Sequence, residues 1–153
     1  MNLNAKINQI VENLNNRNFK KVINACEKII KLKIENTIIY NLYGLGFQKQ
    51  GLFDKSIEAF KKSIQLQNNN YFAFNNLAVS LKAIKKIKLS ENAYQDCLKI
   101  KPDYVIAITN YANLKQEIND HHESIKLYLK ALEFKSEINE IYIYSKLSNL
   151  YHS

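Results

Sequence analysis

The amino-acid sequence predicts an all-α fold, a solenoid of antiparallel helix pairs with four repeats and a terminal helix, and three observations carry that expectation. First, four columns recur at one fixed interval, the distance from Ser56 to Ser90: Val22, Ser56, Ser90 and Ser124; Cys26, Phe60, Tyr94 and Tyr128; Ile30, Ile64, Leu98 and Leu132; Leu32, Leu66, Ile100 and Phe134. Second, Gly44, Ala78 and Ala112 keep the same interval and are all small. Third, three Gly and one Pro in 153 residues leave little material for strands joined by tight turns, whereas stretches rich in Leu, Ile, Lys, Glu, Asn and Ala favour helix. A fixed period of this length marks an array in which each unit buries its apolar face only against its neighbours.

The units run over about 3–36, 37–70, 71–104 and 105–140, in a single domain closed by a terminal helix at 141–153. Repeat one is the loosest. Ile7, Ile10, Val11 and Leu14 form one apolar face, and Val22, Cys26, Ile29 and Ile30 the other. Its turn reads as one residue shorter, Leu14 to Phe19 against Phe47 to Phe53. In repeat two the periodicity predicts a helix over 37–49, with Tyr40, Tyr43, Gly44 and Phe47 on one face. Gln50 and Gly51 break it, Phe53 packs into the turn, and a second helix follows over about 54–67. Asn68, Asn69 and Asn70 link to the next unit, because Asn favours caps and turns. Repeat three continues with Phe74, Leu77, Ala78 and Leu81, then Ile87, Ser90, Tyr94, Cys97 and Leu98. Repeat four has Ile108, Tyr111 and Ala112, then Ser124, Tyr128, Ala131 and Leu132. Tyr144, Leu147, Ser148 and Tyr151 restart a first helix, displaced by two residues.

The net charge of +8 comes from lysines with the single exception of Arg17, and they read as solvated helix faces. Cys26 and Cys97 lie two repeats apart in second-helix columns, so they are expected to be buried thiols and not a disulfide. The first residues lack the apolar core of a signal peptide, and no apolar run approaches a membrane span. A cytoplasmic protein is the expectation.

These residues resemble the tetratricopeptide repeat family. In repeat two Tyr40, Gly44, Phe47, Gly51, Ser56, Phe60 and Ser63 match its pattern, and in repeat three Phe74, Leu77, Ala78, Ser90, Tyr94 and Pro102 do. The resemblance covers essentially the whole chain and implies a right-handed superhelix that binds proteins without catalysis or cofactor. Departures at Lys85, in the place of Gly51, and at Lys115, in an apolar place, predict local irregularity in repeats three and four.

The resemblance also implies that first helices line the concave face. The residues expected there are Asn41, Leu45, Gln48 and Lys49 in repeat two, and Asn75, Asn76, Val79 and Lys82 in repeat three. Repeat four contributes Thr109, Asn110, Asn113 and Gln116. Asn8, Glu12 and Asn15 precede this row, and Ser145, Lys146 and Asn149 extend it. An Asn side chain can donate to a peptide carbonyl and accept from a peptide N–H, so an amide-rich face suits an extended peptide, with lysines favouring acidic residues. The carboxylate clamp of chaperone-binding members is absent, since Asn41, Leu45, Ile106 and Asn110 occupy four of its columns. Asn76 and Asn110 match two rungs of the Asn ladder of O-linked N-acetylglucosamine transferases, and Leu42 and Gln9 break it.

Metal chemistry is not expected. His121 and His122 are adjacent and point about 100° apart on a helix, and His152 has no companion. Lys82, Lys85, Lys86 and Lys88 form the densest basic cluster, but the aromatic residues sit in packing columns, so nucleic acid is not the expected partner. Ile143, Tyr144, Leu147, Leu150 and Tyr151 make the terminal helix apolar on more than one face, so 141–153 is expected to be buried by a continuation of the chain, by self-association with a second copy, or by a partner. The reading is a non-catalytic protein-interaction scaffold. The alternatives are the N-terminal arm of a larger enzyme such as a glycosyltransferase, or a weak nucleic-acid binder through its lysines.

Overall fold

A computed structural model describes residues 2–134 and 140–151, the side chain of Tyr151 excepted. His152 therefore lies outside the described residues. Among them are α1 (Leu3–Asn15), α2 (Phe19–Lys31), α3 (Thr37–Lys49), α4 (Phe53–Leu66), α5 (Tyr71–Ala83), α6 (Ile87–Ile100), α7 (Val105–Glu117), α8 (His121–Glu133) and α9 (Glu140–Tyr151), and no strand. Each helix packs on its chain neighbours, and the first helices α1, α3, α5 and α7 also touch in succession. The expected solenoid of helix pairs is what forms. Phe53 opens α4 and is not a turn residue.

The columns found in the sequence are the core. Val22, Ser56, Ser90 and Ser124 are fully buried, and so are Cys26, Phe60 and Tyr128, with Tyr94 almost so. The hydroxyls of Ser90 and Ser124 donate to the carbonyls of Ala78 and Ala112 at 2.8 and 2.9 Å, pinning second helix to first. A Cβ on Gly44 would lie 2.6 Å from the Phe60 ring, so no side chain fits there without moving a buried aromatic. Cys97 occupies the place of Ser63 one unit on. Ser63 donates to Thr37 O at 3.0 Å, and the Cys97 thiol donates to Tyr71 O at 3.2 Å. Burial pushes both thiols up to about 12, which keeps them protonated and unreactive at neutral pH. The fourth column is the least buried, with Leu32 exposed.

The turns between paired helices correct two expectations. Arg17, Gly51, Lys85 and Asn119 all adopt a left-handed φ, between 57° and 74°, and they recur at the same interval as the core columns. In every unit the amide three residues beyond the helix bonds back five residues: Asn18 N to Asn13 O, Leu52 N to Phe47 O, Lys86 N to Leu81 O and Asp120 N to Lys115 O, all at 2.8–3.0 Å. This is the Schellman arrangement, which satisfies helix-end carbonyls. Repeat one therefore has a turn of the same length, with Asn13 and not Leu14 in the register of Phe47. Lys85 causes no irregularity, since its main chain does what Gly51 does at a cost in strain.

Lys115 is no irregularity either. Its ammonium meets Glu91 of α6 at 2.5 Å and Asp120, the N-cap of α8, at 3.1 Å, and is largely shielded from solvent. These groups join repeat three to repeat four. The hydrogen bond to Lys115 holds the Asp120 carboxyl below the usual range, and Glu91 and Asp120 hold Lys115 above the usual lysine range.

The two ends differ. A cavity of about 440 Å³ beside α1 and α2 is lined by Lys6, Gln9, Asn13, Lys21 and Lys28. The corresponding residues two units further on, Phe74, Leu77, Leu81, Leu89 and Asp96, line the equivalent cavity across which α4 lies. The α1–α2 cavity thus carries lysines and amides at four positions where the interior one is apolar, while Ile10, Ala25 and Ile29 also line the first and Asp54, Glu58, Lys61, Lys86 and Asn92 the second. At the other end Ile143, Leu147 and Leu150 are buried while Ile141 and Tyr144 are exposed.

Two measurements test these assignments. Lys85→Gly should raise the unfolding free energy by about 0.5–1 kcal/mol in denaturant melts, because glycine enters the left-handed region freely. A stabilisation at Gly51→Lys as well would contradict the assignment. As for pH, a depressed carboxyl contributes stability above its unfolded value of about 3.9 and loses it as pH falls through the lower folded value. Asp120→Asn, which keeps a capping oxygen, should therefore show a shallower fall of Tm between neutral pH and pH ~3 than the wild type.

Candidate functional site

First helices in mutual contact lie on the inside of the curve, because no two second helices touch to the same extent. Each presents a stripe at helical spacing: Ile38, Asn41, Leu45 and Gln48 on α3; Phe72, Asn76, Val79 and Lys82 on α5; Ile106, Asn110, Asn113 and Gln116 on α7. Lys49 is exposed; Asn41, Gln48, Asn76, Val79, Lys82, Asn110, Asn113 and Gln116 are half-buried; Asn75 and Thr109 are almost closed to solvent.

The amides form links across helices. Asn110 Nδ2 donates to Asn75 Oδ1 at 3.1 Å, and Asn75 Nδ2 donates to Asn76 Oδ1 at 3.2 Å. This relay holds Asn76 and Asn110 in fixed orientations. It leaves the Asn76 Nδ2 donor and the Asn110 Oδ1 acceptor without a partner among the described residues. On the α3 side, Gln48 Nε2 donates to Asn76 O and Ser80 Oγ at 2.9 and 2.8 Å. On the α9 side, the hydroxyls of Tyr128 and Tyr142 both donate to Asn113 Oδ1, at 2.7 and 2.8 Å. Burial, with Tyr142 beside it, pushes the Tyr128 phenol up, so it stays a donor at neutral pH. Thr109 is turned back on its own helix, donating to Val105 O and Ile106 O. Asn41 Oδ1 is buried with no partner among the described residues, a state that costs about 1–3 kcal/mol.

The charged edge is more balanced than a row of lysines. Lys82 Nζ sits 2.6 Å from Glu117 of α7, whereas Lys49 has no ion pair among the described residues. Lys88 of the basic cluster lies 3.6 Å from Glu91. Sequence reasoning missed Glu117 and Ser80. It also passed over Ile38 and Phe72 as members of the stripe and placed Ile106 there only as the occupant of a clamp column, although their spacing, equal to that of the core columns, was there to be read. Among the described residues no three His, Cys, Asp or Glu side chains are grouped to hold a metal ion. No helix among them is long and apolar enough to cross a membrane.

Residues 38–70, 73–104 and 106–137 each match the tetratricopeptide repeat profile. The chain belongs to the tetratricopeptide repeat family. It is thus built as a protein–protein interaction scaffold. The peroxisomal targeting signal receptor of Candida glabrata is 28% identical over 106 residues, covering 69% of this chain and 18% of the receptor. A protein O-mannosyl-transferase of Homo sapiens is 27% identical over 97 residues, covering 60% of this chain and 12% of that protein. The chain spans less than a third of the length of the curated relatives it matches. Among solved structures, MamA superposes with a TM-score of 0.82 at 20% identity, over 99% of this tetratricopeptide repeat chain and 84% of that one, which shows the shared fold.

Proposed function

We propose that this tetratricopeptide repeat chain is a non-catalytic module that holds a peptide along its first-helix stripes, chiefly by the peptide's main chain. The amide relay Asn110–Asn75–Asn76 carries this reading, because it fixes one open donor and one open acceptor across two repeats. That pair complements a peptide carbonyl and a peptide N–H, and it demands no particular side chain. A preference for acidic residues rests on Lys49, which has no ion pair among the described residues, and on the net charge of +8, since Lys82 is already neutralised by Glu117. The receptor among the relatives has a targeting signal in its name, in keeping with peptide capture. The mannosyl-transferase relative favours a variant of the same reading, in which such a module forms part of a larger enzyme.

A second reading concerns the end of the array. Ile141 is 88% and Tyr144 58% exposed, and Ser148 is exposed beside them at helical spacing. Allowing for the two-residue displacement, Tyr144 and Ser148 correspond to Ile108 and Ala112 of α7, both fully buried where α8 lies over α7. A further helix of a longer chain would cover this face, and so would a second copy of the chain. Head-to-tail stacking would press it on the lysines and amides of the α1–α2 face, so a two-fold pairing is favoured. Tyr144 and Ser148 lie one turn apart, and two antiparallel α9 helices would seat each Tyr144 on the partner's Ser148.

Both readings have direct tests. In pull-downs read by mass spectrometry, Asn76→Ala/Lys82→Glu/Asn110→Ala with unchanged helical content should lose proteins that the wild type retains. Identical retention would remove the groove from consideration. In sedimentation velocity at rising concentration, the wild type should dimerise and Tyr144→Asp remain monomeric. Mixed Tyr144→Cys and Ser148→Cys chains should cross-link faster than either alone, and a wild type that stays monomeric throughout refutes the pairing.

A further inference from the structure

Three large apolar residues stand in the groove where a solvated face would carry polar ones. Ile38, Phe72 and Ile106 are 49%, 47% and 49% exposed, one in each successive unit and each at the second position of a first helix. Single exposed apolar side chains are ordinary on a protein surface. A column of three on successive units, each one turn from the amide row, is a periodic feature of one surface. The middle member is also the most firmly held. The Phe72 ring lies 4.2 Å from that of Tyr71 and 5.6 Å from that of Tyr104, and the Tyr71 and Tyr104 rings meet edge to face at 5.0 Å. These rings make an apolar shelf at the mouth of α5.

Resting on the groove reading above, we infer that the ligand is an extended segment in the polyproline II conformation with an apolar side chain at every third residue. Two independent requirements select it. The first is spacing: packed helices lie about 8–10 Å apart, which sets the interval between successive apolar positions. A polyproline II chain repeats each face every three residues, about 9.3 Å, whereas a strand repeats each face about every 7 Å. The second is main-chain access. An α-helix could match the interval with residues seven apart, about 10.5 Å, but its amides and carbonyls are bonded internally. It would leave the open Asn76 donor and Asn110 acceptor idle. A polyproline II main chain has no internal hydrogen bonds, so its carbonyls and N–H groups are available to both. In the same geometry, residues between the apolar positions face the opposite edge, where the exposed Lys49 ammonium receives a carboxylate. The recognised chemistry is therefore a three-residue rhythm of one apolar and two polar or acidic positions.

The test is selection from a random dodecapeptide display library on the full chain, with Asn76→Ala/Lys82→Glu/Asn110→Ala as the counter-target. Peptides lost on the counter-target are then sequenced. Enrichment of apolar residues three apart, with none at seven, is the expected result. Enriched peptides with apolar residues seven apart, or with no period, overturn this inference and leave the groove reading standing. If no peptide distinguishes the two targets, both fall. A selected peptide made synthetically should bind Phe72→Ser about tenfold more weakly by fluorescence polarisation, as expected for losing one buried aromatic contact. Ile106→Ser should do the same with the aromatic shelf intact, and unchanged affinity in both variants, with wild-type melting curves, counts against the three-residue rhythm.

Discussion

Everything in this molecule depends on how closely the two helices of one pair approach. On the first helix a residue no larger than alanine, Gly44, Ala78 or Ala112, faces a second helix whose aromatic ring, Phe60, Tyr94 or Tyr128, is buried. At Gly44 the fit leaves no room even for a methyl group. Where the small residue is alanine, a serine hydroxyl crosses the same gap to its carbonyl. This short approach fixes the thickness of a unit, and stacking units of equal thickness brings the first helices together in one row. The groove is a product of that packing, and its spacing is the spacing of the pairs.

The groove side chains are partly committed to the scaffold itself. Gln48, Asn75, Asn110, Asn113 and Lys82 all bond to a neighbouring helix, so they hold the row together before any ligand arrives. A face stitched in this way is pre-organised, which lowers the ordering cost of binding. The same stitching explains why Asn75 and Thr109 are nearly closed off while Asn76 and Asn110, one residue along the helix, keep a polar atom open.

Much of the fold was legible in the sequence because its physical cause is periodic. Small, aromatic and apolar columns each answer one packing demand that recurs once in every unit, and α3 has the predicted bounds of 37–49. What misled was residue identity at positions where the main chain, and not the side chain, meets the demand. Arg17, Lys85 and Asn119 look unlike Gly51, yet share its backbone. Lys115 looks wrong for a core until Glu91 and Asp120 are placed beside it, and those partners come from other helices, beyond any local pattern. The candidate site was legible as a set of columns, since helical spacing fixes which residues share a stripe. Which amides are bonded and which stay open was not, because that depends on side-chain pairing between units.

The four matching turns carry a consequence for shape. Each helix pair is closed by the same two main-chain bonds around one left-handed residue, whatever that residue is. The angle at which the chain doubles back is therefore set by atoms that every amino acid shares. Side chains at the turns can differ from unit to unit, as they do here, without altering the arc of the inner surface. The molecule keeps its ruler in the backbone, and its chemical variety is left for the faces that meet other molecules.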